Sequence, residues 1–160
     1  MSISIIKATP EHAQAIFDMI VELAIFEKMP DQVAITAETI RKDIEREAVY
    51  GLLAVVDEKI AGMNLYYFAY STWHGQYAHM EDLYVKPEFR RMGLAKKLWS
   101  SLAKIAIERD CHLLQWVVLD WNKGAIALYD TVEYINLTKK EGWYSFRMER
   151  KAIEDLANSC

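Results

Sequence analysis

The stretch Met80-Glu81-Asp82-Leu83-Tyr84-Val85-Lys86-Pro87-Glu88-Phe89-Arg90-Arg91-Met92-Gly93-Leu94-Ala95-Lys96-Lys97-Leu98 concentrates the residue types that can do chemistry. It reads as a strand running into a loop with two arginines, after which a glycine opens a helix. A helix start presents unpaired N–H groups and the positive end of the helix dipole, both suited to phosphate oxygens. Gly93 lets a ligand come close to the main chain, and Ala95 is the next smallest choice. Arg90, Arg91, Lys96 and Lys97 add positive charge within a turn of that point. The spacing differs from a Walker loop, which needs Gly-Lys-Ser/Thr, and from the Gly-x-Gly-x-x-Gly of dinucleotide sites.

The flanking pattern supplies elements to hold this segment. Ser4–Lys7 reads as a first strand, and Thr9-Pro10 as a helix start. Ala13, Ile16, Phe17, Ile20, Leu23 and Ala24 recur at helical spacing down to about Met29. Thr36 caps a second, charged helix reaching about Glu47. Two β-rich runs, Tyr50–Val56 and Ile60–Tyr70, are joined by Asp57-Glu58-Lys59, a hairpin-length connection. A third run, Tyr77–Val85, leads into the basic loop, and a long amphipathic helix spans about Met92–Arg109. Leu113–Leu119 is a near-continuous apolar run expected as a strand covered on both faces. A helix over about Asn122–Val132 and a last strand near Trp143–Met148 complete the order. The expectation is an α/β (α+β) fold: one domain over residues 1–160, with a mixed sheet covered by helices.

Composition excludes several classes. With 160 residues, 52% of them hydrophobic, there is material for one proper core. No apolar run approaches the length of a membrane span. The net charge of −4 disfavours a nucleic-acid partner, although Phe89 and Trp99 lie among the basic residues where bases could stack. Trp99 fits the buried stripe of its helix instead. Met1–His12 lacks a signal-segment pattern, and two cysteines, Cys111 and Cys160, make no disulfide framework. A cytoplasmic location is expected. The four histidines, His12, His74, His79 and His112, show no metal-ligand spacing, so no metal is expected.

Arg90-x-x-Gly93-x-Ala95 after a buried strand resembles the acetyl-coenzyme A signature, Arg/Gln-x-x-Gly-x-Gly/Ala, of the GNAT superfamily of N-acetyltransferases. Further blocks match in order: Glu22-Leu23-Ala24-Ile25-Phe26-Glu27, Met29, Gln32-Val33, Tyr66-Tyr67-Phe68, Trp73, Glu81-Asp82, Leu119-Asp120-Trp121-Asn122, Leu128-Tyr129 and Glu141-Gly142-Trp143. They resemble the subgroup of spermidine/spermine and thialysine N-epsilon-acetyltransferases over nearly the whole chain. The resemblance implies a homodimeric enzyme that moves an acetyl group from acetyl-CoA to a primary amine. It also implies a strand pair that splays at the acetyl-CoA site.

The residues can be matched to that chemistry. An alkylamine with a pKa near 10.4 is neutral in roughly one molecule in 10³ at pH 7, so making the nucleophile costs about 4 kcal/mol. Glu81, on the strand entering the loop, is the candidate that attracts the ammonium ion and takes its proton. By resemblance, main-chain N–H groups of Leu83, Tyr84 and Val85 stabilise charge on the thioester oxygen. Arg90, Arg91, Met92, Gly93, Leu94, Ala95 and Lys96 form the phosphate loop, and Asn122, Lys123, Gly124 and Ala125 touch the pantetheine or phosphate region. Tyr129 is the implied acid that protonates the leaving thiolate. Glu27, Glu81 and Glu141 align with acidic amine-binding positions, and Gln115, Trp116 and Val117 are expected along the same cleft.

Three positions depart from the subgroup pattern, and one pair bears on the branch. Glu133 stands where glycine often follows the tyrosine helix, and Arg91 replaces a common loop glycine. Ser71 replaces an aspartate of polyamine acetylators, and Leu119-Asp120 looks like the thialysine branch. Losing one carboxylate favours a short lysine-like amine such as thialysine over a long polyamine. The other acceptors weighed are spermidine or spermine and, below them, a protein lysine. A non-catalytic CoA sensor is disfavoured because Glu81, Asn122 and Tyr129 are present together.

Overall fold

The computed structural model describes residues 1–159, so Cys160, considered above as a cysteine, lies outside the described residues. The chain forms two compact units, residues 1–122 and 123–160. In the first unit the elements are β1 (Ile3–Lys7), α1 (Ala13–Phe26), α2 (Ala37–Glu45), β2 (Tyr50–Val56), β3 (Lys59–Ser71), β4 (Gly75–Val85), α3 (Leu94–Glu108) and β5 (Leu114–Trp116). The strands make one sheet in the order β1-β2-β3-β4-β5. β1 to β4 are antiparallel neighbours, and β5 runs parallel to β4 after the α3 crossover. This is the mixed sheet expected from the sequence.

Strand alternation sorts the side chains between two layers. Leu53, Met63, Leu65 and Tyr84 form a core with Ala13, Ile16 and Met19 of α1 and Ile40 of α2. Behind the sheet, α3 buries Leu94, Leu98, Trp99, Leu102 and Ala106. Asn64 of β3 is wholly buried between sheet and α3, and its Nδ2 donates to the Leu98 carbonyl at 3.4 Å. Exposed α2 side chains form the solvated face expected of it, with Arg41 paired to Glu38 at 2.7 Å. Among the described residues no helix is long and apolar enough to cross a membrane.

Two differences from the sequence expectation concern the site. α1 ends at Phe26 rather than near Met29, because Lys28 takes a left-handed φ of 62° and Pro30 then starts a short 3-10 turn. The strand expected over Leu113–Leu119 is paired only over Leu114–Trp116. Its loss follows from β4. Leu65 pairs with Asp82 and Tyr66 with Met80, so Glu81 is an extra, bulged residue with no partner on β3. A bulge bends its strand and breaks the ladder on the far side. Pairing between β4 and β5 stops at Met80 and Trp116, one residue before the bulge.

The second unit carries α4 (Lys123–Tyr129), α5 (Leu137–Glu141) and α6 (Arg150–Ala157). The strand expected near Trp143–Met148 is absent: those residues carry no strand, and Tyr144 and Phe146 are 85% and 91% exposed. A strand needs a ladder partner, and among the described residues this unit contains no other strand. Glu133, in place of a glycine, bears no left-handed strain. The α4 end closes instead through Thr131 N–H to Leu128 and Val132 N–H to Tyr129, with the Thr131 hydroxyl donating to the Leu128 carbonyl at 2.7 Å.

Gly62 pairs with Val85 at the end of β4. A Cβ there would sit 2.6 Å from the Tyr84 carbonyl oxygen and 3.1 Å from Val85 Cγ2. Because the nearer atom is main chain, Gly62→Ala is expected to cost roughly 1–3 kcal/mol of stability. Thermal or urea unfolding measures this, and an unchanged midpoint would contradict the close approach of β3 to β4.

Candidate active site

The β4 bulge does more than end the sheet. Strand neighbours ordinarily face opposite ways, so Glu81 and Asp82 should diverge. With an extra residue inserted, Asp82 lies opposite Leu65 of the α1-side core, while His79 lies opposite Tyr67 on that same face. Glu81 shares the face, its Oε2 3.4 Å from His79 Nε2. Glu27, just past the end of α1, joins the group electrostatically. Three carboxylates from two elements thus meet where β4 and β5 part.

Their protonation preferences differ. A hydrogen bond from His79 holds the Glu81 carboxyl below its ordinary range, against the opposing effect of burial. Burial, and then the negative charge of Glu81, raises Glu27. Asp82 is pushed up to about 6 by burial, with Glu81 and Glu27 adding to the shift. One carboxylate held ionised beside two that resist ionisation makes a site that gains from an added cation.

Beyond the bulge, Val85 leads into a 3-10 turn at Pro87–Phe89 and then into the α3 start. Arg91 (φ 64°) and Gly93 (φ 73°) both adopt left-handed backbone. This conformation turns main-chain N–H groups towards one side, the arrangement that binds anions. It also explains why glycine is common at position 91, since a side chain costs roughly 1–2 kcal/mol there. Arg90 Nε donates to the Val85 carbonyl at 3.0 Å, tying the loop to the strand end. Its guanidinium lies 5.8 Å from the Phe26 ring and 5.9 Å from the Tyr84 ring. Phe26 in turn lies 5.7 Å from Trp121, over which Lys28 is placed at 4.7 Å. Loop donors, cationic side chains and the main chain of Leu83–Val85 are of the kind that fits a phosphate-bearing thioester such as acetyl-CoA.

The other sequence candidates fall into place separately. Tyr84 is buried and its hydroxyl donates to Glu22 at 2.8 Å, so its side chain serves the core while its main chain remains in the β4 run. Burial, then the bond to Glu22, pushes that phenol up to about 12. Gln115 lies beside His79 across the parallel pair. Trp116 meets Trp99 of α3 edge-on at 5.3 Å, a packing position, and Val117 is 81% exposed just past β5. The Asn122 N–H closes a turn on Leu119. In the second unit, Lys123, Gly124 and Ala125 form the first turn of α4 and Tyr129 its buried last residue. Glu141 ends α5 and accepts from Trp143 Nε1 at 2.8 Å. Among the described residues no group of histidine, cysteine and carboxylate side chains is gathered to hold a metal.

Sequence reasoning missed Asp82 and His79 as site members. Adjacency to Glu81 was visible for Asp82, but simple strand alternation gives no reason for two neighbours to share a face. Folding raises the Asp82 pKa above its ordinary 3.8, so its contribution to stability is full below about pH 4 and is lost as the pH rises through about 6. Asp82→Asn, neutral throughout, is therefore expected to exceed the natural chain by roughly 1–3 kcal/mol at pH 8, with the gain shrinking towards pH 4. Thermal melting across that range measures the difference. A pH-independent difference would contradict a buried, mutually repelling carboxylate.

Comparison with known proteins places this geometry in a lineage. Residues 14–134 match the Acetyltransferase (GNAT) family. The chain is 59% identical over 154 residues to the thialysine N-epsilon-acetyltransferase of Caenorhabditis elegans, covering 96% of each. It is 41% identical over 152 residues to the protein of that name from Sus scrofa, covering 89% of each. Among solved structures, a ribosomal-protein-alanine N-acetyltransferase from Brucella melitensis shares the fold with a TM-score of 0.73 at 21% identity, over 92% of this chain and 99% of that one. The family match runs through the bulged strand, the basic loop and the tyrosine-bearing helix alike, and the chain belongs to the GNAT family of acetyltransferases.

Proposed function

We propose that this protein transfers the acetyl group of acetyl-CoA directly to the terminal amine of thialysine or a similar short, lysine-like amine. The observation that carries this reading is the meeting of Glu27, Glu81 and Asp82 at the point where β4 leaves β5, one short loop from the anion-binding start of α3. The carboxylates draw in the ammonium ion, and Glu81 takes its proton, directly or through one water. The freed amine attacks the thioester carbon, and main-chain N–H groups of Leu83–Val85 meet the charge that grows on its oxygen. As the C–S bond breaks, Tyr129 gives its proton to the leaving thiolate. The loop from Arg90 to Lys96, with Asn122–Ala125, holds the phosphate and pantetheine parts.

We take residues 1–160 as one N-acetyltransferase domain, a reading supported by the family match over residues 14–134. The high identity to relatives named for thialysine supports the short amine, as does Ser71 in place of a carboxylate. We read the working form as a cytoplasmic homodimer, following the subgroup that the sequence resembles.

Thiol release from acetyl-CoA tests the reading, with thialysine, lysine, ornithine, spermidine, spermine and a lysine peptide as acceptors. Highest kcat/KM is expected for thialysine. Tyr129→Phe is expected to lower its kcat roughly 10²-fold, with little change in acetyl-CoA affinity. Preference for spermidine would move the assignment to polyamines. Equal losses of binding and turnover in Tyr129→Phe would give that residue a packing role.

A further inference from the structure

We propose that His79 is the residue that positions Glu81 and relays the substrate's proton away from it, an inference that rests on the acetyltransferase reading above. His79 is set two residues before Glu81, in the paired stretch of β4 that precedes the bulge, and is registered against Tyr67 on β3 and Gln115 on β5. Its Nε2 is 3.4 Å from Glu81 Oε2. The imidazole packs at a tilt of 30° against the Tyr67 ring at a centroid distance of 4.9 Å, which limits its rotation. The side chain is 17% exposed, so one edge reaches water while the ring is otherwise enclosed.

The need for a second group follows from what Glu81 must do. An ammonium ion enters and a neutral amine must remain, so one proton per turnover has to leave a site already crowded with carboxyl groups. A carboxyl held low, as that of Glu81 is, does not keep a proton for long. Asp82 and Glu27 are poor outlets, because a proton parked on either would weaken the site's hold on the next cation. Histidine is the side chain whose charge changes most readily near neutrality. The balance is simple. An ammonium N–H bond breaks as an O–H bond forms on Glu81. That O–H then breaks as an N–H forms at Nε2 of neutral His79, and the imidazolium returns the proton to water. When Nε2 carries hydrogen, the same contact donates to the carboxylate and aims it at the amine.

Among the described residues, Tyr67 on β3, Tyr77 on β4, and Glu27 and Asp82 are titratable groups coupled electrostatically to Glu81 or Tyr67. The β5 neighbour, Gln115, has no charge to offer. Among these groups His79 alone contacts Glu81 within hydrogen-bond reach and can both accept and donate.

The test compares the natural enzyme with His79→Gln and His79→Ala, measuring kcat and the pH profile of kcat/KM for thialysine at saturating acetyl-CoA. We expect kcat to fall about 10-fold in both, with KM for acetyl-CoA and the melting temperature unchanged. The acidic limb of the profile should lose one ionisation, and added imidazole should restore part of the His79→Ala rate. Unchanged kcat and profile in both variants, beside an active natural enzyme, would overturn the relay alone. A fall in kcat with an unaltered profile and no response to imidazole would also overturn it, leaving His79 a packing role. A natural enzyme that acetylates no amine would overturn the acetyltransferase reading and the relay with it.

Discussion

The register of β4 changes at Glu81, and nearly everything at the site depends on that single inserted residue. An antiparallel ladder transmits side-chain facing two residues at a time, so without the insertion Asp82 would point towards α3, away from Glu81 and His79. With it, His79, Glu81 and Asp82 gather on the face covered by α1, where Glu27 also ends. The same bulge frees the far edge of β4 from β5 after Met80. A cluster of carboxyl groups and an opening in the sheet are therefore two results of one local feature. Past the bulge the regular ladder resumes, and at Gly62 β3 comes close to the Tyr84 carbonyl.

Charge is then divided along the chain. Negative groups occupy the bulge, and positive groups with main-chain donors occupy the loop that follows. The two regions are joined by a few tethers: Arg90 on the Val85 carbonyl, Tyr84 on Glu22, and the ring contacts of Phe26 and Trp121. An acyl donor bearing phosphates and an acceptor bearing an ammonium group have opposite electrostatic needs. The order strand, bulge, loop, helix satisfies both within about a dozen residues. Arg91 adopts the left-handed backbone that the common loop glycine would provide.

The sequence made the sheet order, the helix stripes and the basic loop legible, because periodicity and helix-start chemistry are local signals. Glu81 and Glu27 could be named from the family resemblance, and the structure brings them together. The bulge itself was not legible: it depends on pairing between residues 65–66 and 80–82, which no local pattern encodes. For that reason Leu113–Leu119 looked like a full strand although only Leu114–Trp116 has a partner. Trp143–Met148 looked like a strand for the same reason, since alternation states what could pair but not what is present to pair with. His79 was set aside because metal spacing was the question asked of it. Its contact with Glu81 is a strand i, i+2 relation, held in place by the tilted Tyr67 ring against the imidazole.

The central claim is that a carboxylate at the bulge removes the amine's proton. The most direct measurement is kcat/KM for the amine as a function of pH, in the natural enzyme and in Glu81→Gln. With Glu81 in place, kcat/KM should be nearly level across neutral pH. In Glu81→Gln it should be far lower at pH 7 and climb about tenfold per pH unit towards the amine's own pKa of about 10.4, because only amine already neutral in solution can react. Parallel profiles for the two proteins would contradict the claim and place the base elsewhere.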